Sequence, residues 1–91
     1  MRSYVILRRN AWQTLEELTE AAHRSTRVGE AMQEDVRWMR SYVVREADGR
    51  LATACIYQAT SESMAREHAL RAGLRADEVL LVEEMVVVRP D

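Results

Sequence analysis

The sequence predicts one α+β domain in which four β-strands and two α-helices alternate in the order β-α-β-β-α-β. Three observations support this prediction. Residues 11–34 carry apolar side chains at three- and four-residue spacing, residues 36–59 hold two runs of strand-forming residues around an Asp-Gly pair, and residues 78–88 are almost continuously apolar and β-branched. The 91 residues match the length of a single domain, spanning 1–91.

The first strand and the first helix are predicted from local composition and period. Residues 3–8 are rich in β-branched and aromatic side chains, which favours a strand. Over residues 11–34, apolar positions such as Leu15 and Leu18 share one side while most charged residues lie on the other, which is typical of an amphipathic helix. Gly29 lies near the last turns, where it could end the helix or weaken it by about 1 kcal/mol relative to Ala.

The second and third strands are predicted to form a hairpin at Val36–Arg45 and Leu51–Ala59. Asp48 and Gly49 lie between them, and Asp-Gly favours a two-residue turn because both central residues need positive φ. With these two residues as the loop, Tyr42 lies opposite Cys55. Side-chain alternation then divides the hairpin into two faces.

The two predicted faces have different character and different expected roles. One is aromatic and is expected to meet a partner subunit: Trp38, Arg40, Tyr42, Val44, Thr53, Cys55 and Tyr57. The other has small side chains and is expected to lie under the helices: Met39, Ser41, Val43, Ala52, Ala54 and Ile56.

The second helix and the fourth strand complete the pattern. Ser61 is predicted to cap a helix that runs to about Ala72, with Gly73 as its left-handed terminator. The fourth strand is predicted over 78–88 and is closed by Pro90. This order is that of the ferredoxin-like fold, a four-stranded antiparallel sheet with two helices on one face.

Composition and charge exclude several classes of partner. The formal charge of −2 comes from 15 acidic and 13 basic residues without a basic block, so we expect no nucleic-acid partner. The apolar run near the N-terminus is too short to span a bilayer, so we expect no membrane partner. The single cysteine, Cys55, fits a reducing compartment, and a cytoplasmic location is expected.

Three segments carry a resemblance to a known family. They are Val36-x-Trp38-x-x-Ser41-Tyr42-Val43, Cys55-Ile56-Tyr57-x-Ala59 and Arg66-Glu67-His68-Ala69-x-x-Ala72-Gly73. Together they resemble a family of small bacterial domains of unknown function, typified by a nickel-binding protein of ferredoxin-like fold. The resemblance implies a homodimer in which two sheets face each other as a dimeric α/β barrel, and a divalent transition metal such as nickel as a ligand.

Two histidines are the candidate metal ligands, whereas nickel and copper sites normally draw on several imidazoles. The helical wheel directs His68 toward the sheet, either as a neutral core histidine bonded to a backbone carbonyl or Ser41, or as a functional group. His23 lies off the apolar stripe and is expected to be a solvated surface residue rather than a ligand. In the predicted register, Cys55 and His68 lie on opposite sheet faces and do not share a metal.

Four hairpin residues are candidate ligand-binding residues together with His68: Trp38, Tyr42, Cys55 and Tyr57. Their alternative role is an aromatic dimer core around an inert buried thiol. A cation such as Arg40 close to Cys55 would instead favour thiolate chemistry or soft-metal ligation.

Two functions remain open from the sequence, and a purely structural dimerisation module is the third possibility. The first is a non-enzymatic homodimer that binds a small ligand or a divalent metal. The second is a small cofactor-independent enzyme, such as a cyclase, isomerase or monooxygenase, in which His68 acts as an acid or base with Tyr42 or Ser41 in a pocket between the sheet and the second helix. The sequence does not decide whether the protein is an enzyme.

Overall fold

The computed structural model describes residues 1–90 and has four strands and two helices in the predicted order. The elements are β1 (Arg2–Trp12), α1 (Leu15–Ala31), β2 (Val36–Arg45), β3 (Leu51–Ala59), α2 (Glu62–Arg71) and β4 (Glu78–Leu81). The strands form one antiparallel sheet in the order β2-β3-β1-β4. The predicted ferredoxin-like α+β fold is therefore confirmed. Among residues 1–90, no helix is long and apolar enough to cross a membrane.

Helix α1 begins four residues later than predicted because a capping interaction fixes its start. The Thr14 hydroxyl accepts a hydrogen bond from the Glu17 amide at 3.2 Å, and the Glu17 carboxylate accepts one from the Gln13 amide at 2.8 Å. These bonds satisfy amides at the helix start, which have no partner within the helix. Strand β1 accordingly continues to Trp12, and Gly29 lies inside the helix rather than ending it.

The hairpin between β2 and β3 has a three-residue loop, so the predicted register is wrong by one residue. The Glu46 amide donates to the Arg50 carbonyl at 2.9 Å, and Gly49 has a φ of +88°. Three-residue hairpin loops place a left-handed residue at this position, commonly glycine. Tyr42 therefore lies opposite Ala54, and Cys55 lies opposite Ser41.

A β-bulge at Met39 reverses the faces to which the side chains before it on β2 point, relative to simple alternation. Trp38 lies opposite Tyr57, and Arg40 lies opposite Ile56, so Met39 is an extra residue on β2 between the two pairs. Because of this insertion, Trp38 points to the same side of the sheet as Ser41. Their side chains are joined by a hydrogen bond of 2.8 Å from Trp38 Nε1 to Ser41 Oγ.

The sheet has an inner face, covered by the helices, and an outer face. The inner face comprises Tyr4, Ile6, Arg8, Trp38, Ser41, Val43, Thr53, Cys55, Tyr57 and Val79. The outer face comprises Val5, Leu7, Arg40, Tyr42, Val44, Ala54, Ile56 and Leu80.

The predicted assignment of side chains to the two sheet faces is correct for most of β2 and wrong for β3. Cys55 and Tyr57 were expected to face a partner subunit, yet both are buried beneath the helices. A one-residue slip in register turns every side chain of a strand to the opposite face, which explains the whole error on β3. Cys55 and His68 therefore lie on the same side of the sheet, contrary to the prediction.

Helix α2 agrees with the prediction, whereas β4 is shorter. Ser61 Oγ accepts from the Met64 amide at 3.2 Å, and Gly73 ends the helix at a φ of +68°. Strand β4 stops at Leu81 instead of continuing to residue 88. Leu81 pairs with Tyr4, close to the first residue of β1, so little of β1 remains to pair with residues beyond it.

Candidate ligand-binding site

A cavity of about 280 Å³ lies between helix α1 and the inner face of the sheet. Helix α1 contributes Leu18, Thr19, Ala21, Ala22, His23 and Ser25, the sheet contributes Arg8, Trp12, Trp38, Ser41, Val43, Thr53, Cys55 and Tyr57, and Leu74 follows α2. Helix α1 presents the small residues Ala21, Ala22 and Ser25 to the sheet here, so the two layers leave space between them. The cavity is close in size to the smallest pockets that bind organic molecules.

Arg8 is the charged residue at the sheet side of this cavity, and its side chain is only 2% exposed. Its Nε donates to the carbonyl of Arg75, and its Nη1 contacts Cys55 Sγ at 3.5 Å. Its Nη2 has no hydrogen-bond partner among residues 1–90. Arginine stays protonated in proteins, so a full positive charge is buried beside neutral groups.

Thr53 lies directly opposite Arg8 on the neighbouring strand and lines the same cavity. The Thr53 side chain is buried, and within the described chain its hydroxyl also has no hydrogen-bond partner. Most buried polar side chains in proteins are hydrogen-bonded. Two adjacent polar groups without partners therefore distinguish this part of the cavity.

A chain of polar contacts extends from Arg8 along the inner face. The Trp38 indole donates to Ser41 Oγ, and that hydroxyl lies 2.9 Å from Cys55 Sγ. The Trp38 ring also stacks on Tyr57, with 6.2 Å between the ring centroids and 12° between the planes. These contacts hold the wall of the cavity in one arrangement.

Tyr57 separates the cavity from His68. The Tyr57 hydroxyl lies 3.1 Å from Ser25 Oγ, and its ring meets the His68 ring edge-on with centroids 5.2 Å apart. Burial raises the pKa of Tyr57, although the hydrogen bond with Ser25 and the charge of Arg8 oppose that rise. Tyr57 is therefore a neutral phenol at physiological pH.

His68 is fully buried and does not line this cavity. Its Nε2 lies 3.2 Å from the Ser25 carbonyl oxygen, and since a carbonyl only accepts, Nε2 is the protonated nitrogen. Burial and, to a smaller extent, the charge of Arg8 lower the pKa of His68, while the Ser25 carbonyl raises it. The predicted inward orientation is confirmed, and the contacts match a neutral core histidine bonded to a backbone carbonyl.

The structure brings together most of the sequence-predicted site residues and separates Tyr42 from them. Four line the cavity on the inner face, namely Trp38, Ser41, Cys55 and Tyr57, and His68 lies behind Tyr57. Tyr42 is on the outer face and cannot act jointly with His68. His23 is exposed, as predicted, although it also lines the cavity.

Sequence reasoning missed Arg8 and Thr53 as site residues. A signal for Arg8 was present in the alternation of the first strand, where Tyr4, Ile6 and Arg8 follow each other at a period of two. An arginine in line with two core residues indicates a buried charge. Thr53 had no such signal, because it meets Arg8 only through the register of β1 with β3.

The described residues of the chain do not gather a set of metal donors. Among residues 1–90, no group of three or more His, Cys, Asp or Glu side chains is placed to hold a metal ion. Nickel sites draw on several donors, and the buried His68 already uses Nε2 for Ser25. Residues 1–90 of one chain therefore do not form a nickel centre on their own, and the metal-ligand roles of His68 and His23 stay predictions.

Comparisons with known proteins give one family and one related structure. The family model described as nickel responsive protein SCO4226-like matches residues 4–82. The crystal structure of SCO4226 from Streptomyces coelicolor A3(2) superposes with a TM-score of 0.75 at 21% identity, over 92% of this chain and 99% of that one. At this identity the likeness establishes the fold. No curated protein matches the chain.

Proposed function

The chain belongs to the SCO4226-like family of nickel responsive proteins, and we propose that it is a non-enzymatic homodimer that binds a small ligand in the cavity under α1. The observation that carries this proposal is the buried Arg8 guanidinium, whose Nη2 has no partner among residues 1–90. A charge buried without a partner costs several kcal/mol of folding free energy. An opposite charge beside it offsets much of that cost. A ligand that contacts Arg8 would supply that compensation.

The position of His68 favours binding over catalysis. Acid-base catalysis needs a group within hydrogen-bond reach of the substrate. His68 is shielded from the cavity by Tyr57, and its Nε2 is held by the Ser25 carbonyl. Tyr42, its proposed helper, lies on the other side of the sheet.

The outer face supports a homodimer. Its side chains include Tyr42, which is 54% exposed, and Val44, which is 50% exposed. Beyond β4, the apolar residues 85–88 are also exposed. Contiguous apolar surface of this kind marks interaction sites in proteins, and a second copy of the same face is apolar in the same way.

Nickel is the second candidate ligand because the family is described as nickel responsive. One chain does not gather three suitable donors within residues 1–90, so a nickel site would combine donors from both subunits of the dimer. Such a site would be lost when the dimer dissociates. Nickel binding and dimerisation are thus linked in this proposal.

A cavity-filling variant tests the small-ligand proposal. Small aromatic and aliphatic compounds, both neutral and charged, are titrated while the fluorescence of Trp12 and Trp38 in the cavity wall is recorded. Binding should be lost in Ala22→Phe, which fills the cavity, and kept in Ala31→Phe at the exposed end of α1. If no compound binds saturably, or if Ala22→Phe binds as the native protein does, the cavity is not a ligand site.

Sedimentation tests the dimer. The native protein is expected to sediment as a dimer, and Tyr42→Glu is expected to sediment as a monomer because it places a charge within the apolar interface. Leu70→Glu is the matched control, since Leu70 is exposed on α2, away from the outer face. A native monomer at all concentrations, or a dimeric Tyr42→Glu, would reject this face.

Calorimetric titration with Ni²⁺, Cu²⁺ and Zn²⁺ tests the metal candidate on metal-free protein. Saturable nickel binding is expected in the native dimer and not in monomeric Tyr42→Glu. His23→Gln shows whether the exposed histidine contributes a donor. The nickel proposal is abandoned if none of the three metal ions saturates a site on the protein at concentrations below about 1 mM.

A further inference from the structure

We infer that the cavity under α1 takes a small monocarboxylate with an apolar body, whose carboxylate pairs with Arg8 and accepts a hydrogen bond from Thr53. This inference rests on the proposed ligand-binding function and specifies the ligand class of the same cavity. It depends on three features of the cavity: its charge, the polar groups without partners, and the apolar walls.

The charge of the cavity lining is positive. Asp77, whose pKa is lowered chiefly by a hydrogen bond from the Arg9 amide and least by the charge of Arg8, lies outside that lining. Arg8 is its permanently charged residue, and no Asp or Glu from residues 1–90 lines it. The ion pairs formed by other arginines lie at the surface, as in the pairs Arg9 with Glu46 and Arg75 with Asp77. A buried cation without an anion is stabilised when an anion enters.

The groups that hold Arg8 leave part of its guanidinium available. Its Nε and Nη1 contact a backbone carbonyl and the Cys55 sulfur, which are neutral acceptors. Nη2 has no partner within the described chain. A hydrogen bond from Nη2 to a carboxylate oxygen would be charge-assisted, and such bonds are shorter and about twice as strong as those between neutral groups.

Thr53 adds a donor at the adjacent position. It is paired with Arg8 across the antiparallel strands β1 and β3, so the two side chains are neighbours on one face. Its hydroxyl is buried and has no partner among residues 1–90. One cation beside one hydroxyl matches a single carboxylate. A phosphate ester would bring a second negative charge, and no second Arg or Lys from residues 1–90 lines the cavity to pair with it.

The remaining walls fit an apolar group. On the helix side they are Leu18, Ala21 and Ala22, and Leu74 and Trp12 complete them. A volume of about 280 Å³ is at the lower limit of ligand pockets, so the apolar body is small. Aromatic acids of one ring and short fatty acids have this combination of one charge and a compact apolar body.

Isosteric ligand pairs test the inference. Benzoate is compared with benzamide, and hexanoate with hexanamide, by fluorescence titration of the native protein. Each pair has the same shape and differs in charge, so the ratio of dissociation constants isolates the carboxylate. We expect each acid to bind at least tenfold more tightly than its amide.

Matched variants identify the residues responsible. Arg8→Met keeps an unbranched stem in place of the arginine stem without its charge and should abolish the preference for the acid, and Thr53→Val should reduce it. Arg9→Met removes the same charge from the next residue, which is exposed and paired with Glu46, and should keep the native preference. Circular dichroism and thermal unfolding establish that each variant is folded.

The outcomes separate this inference from the proposed function. If acid and amide bind equally, the cavity binds ligands but the carboxylate assignment is overturned. The carboxylate assignment is also overturned if folded Arg8→Met keeps the preference for the acid. If neither member of either pair binds, this inference fails, and the broader compound panel with Ala22→Phe tests the proposed function independently.

Discussion

The Nε2 of His68 lies 3.2 Å from the Ser25 carbonyl oxygen, so one buried hydrogen bond joins α2 to α1 behind the cavity under α1. The imidazole donates in this bond, and the opposite nitrogen, Nδ1, has no partner among residues 1–90. Protonation of Nδ1 would place a second cation near Arg8 without an acceptor. Burial therefore favours the neutral form of His68 in the folded state.

Stability should fall as the pH is lowered, because His68 has a depressed pKa in the folded state. As the pH falls, His68 of the unfolded chain binds its proton near a pH of about 6.5, which is higher than the pH at which His68 of the folded chain does so. Below that pH the unfolded state holds more protons, so the free energy of unfolding decreases by up to about 1.4 kcal/mol per pH unit. Above it the contribution is constant.

Urea unfolding between pH 5 and pH 8 checks this prediction in three proteins. His68→Gln, whose amide can still donate to Ser25, should show a smaller decrease in stability at low pH than the native protein. His23→Gln removes the exposed histidine and should retain the native pH dependence. Equal slopes in the native protein and His68→Gln would contradict the assignment.

The hydroxyl of Tyr57 should stabilise the fold through its contact with Ser25 at 3.1 Å. Tyr57→Phe leaves Ser25 Oγ buried without this partner, so we expect a loss of about 1–3 kcal/mol. Thr26→Val removes a hydroxyl from an exposed side chain on α1 and should change stability by less than about 0.5 kcal/mol. Thermal unfolding of both variants tests the difference, and similar losses would reject it.

The hairpin register predicts which engineered cysteine reaches Cys55. Ser41 lies directly opposite Cys55, and their side-chain oxygen and sulfur are 2.9 Å apart. Facing residues of antiparallel strands have the Cα separation that disulfides need. Under mild oxidation, Ser41→Cys should form an intrachain disulfide with Cys55, detected by peptide mass spectrometry. Tyr42→Cys should not form this disulfide. A disulfide in Tyr42→Cys and none in Ser41→Cys would instead support the register of the two-residue turn.

Gly29 offers a stabilising substitution because it lies inside α1. A Cβ at this position would lie 3.6 Å from His68 Nε2, which is an ordinary contact. Gly29→Ala should therefore raise stability by about 0.5–1 kcal/mol through backbone entropy. Gly73→Ala is the control, since its φ of +68° is unfavourable for alanine and should lower stability. A destabilised Gly29→Ala would indicate that the helices cannot accommodate one methyl group.

Local sequence signals predicted the helices and strands. The errors lie where the local sequence is compatible with two different structures. The Asp-Gly pair favours a two-residue turn, yet the chain uses Ala47, Asp48 and Gly49 as a three-residue loop. Both loops place Gly49 at a positive φ, so the sequence of the turn does not separate them. Packing separates them, because only the observed register buries Cys55 and Tyr57 with the core of β1.

The candidate site depended on that same choice. His68 could be directed inward from the helical wheel alone, because Met64, Ala65 and Ala72 at three- and four-residue spacing are apolar. Arg8 and Thr53 could not be paired from the sequence, because they lie on different strands and meet only through the register of β1 with β3. The end of β4 likewise follows from the length of β1.

By itself, the sequence determined the order of the elements and the caps of α2, since each depends on residues close together in the chain, and the family to which the chain belongs, since that depends on a pattern over residues 4–82. Only the tertiary structure decided which face of β3 is buried and which side chains line the cavity. The physical reason is the two-residue period of a strand. One residue of slip moves every side chain to the other face without changing any local preference.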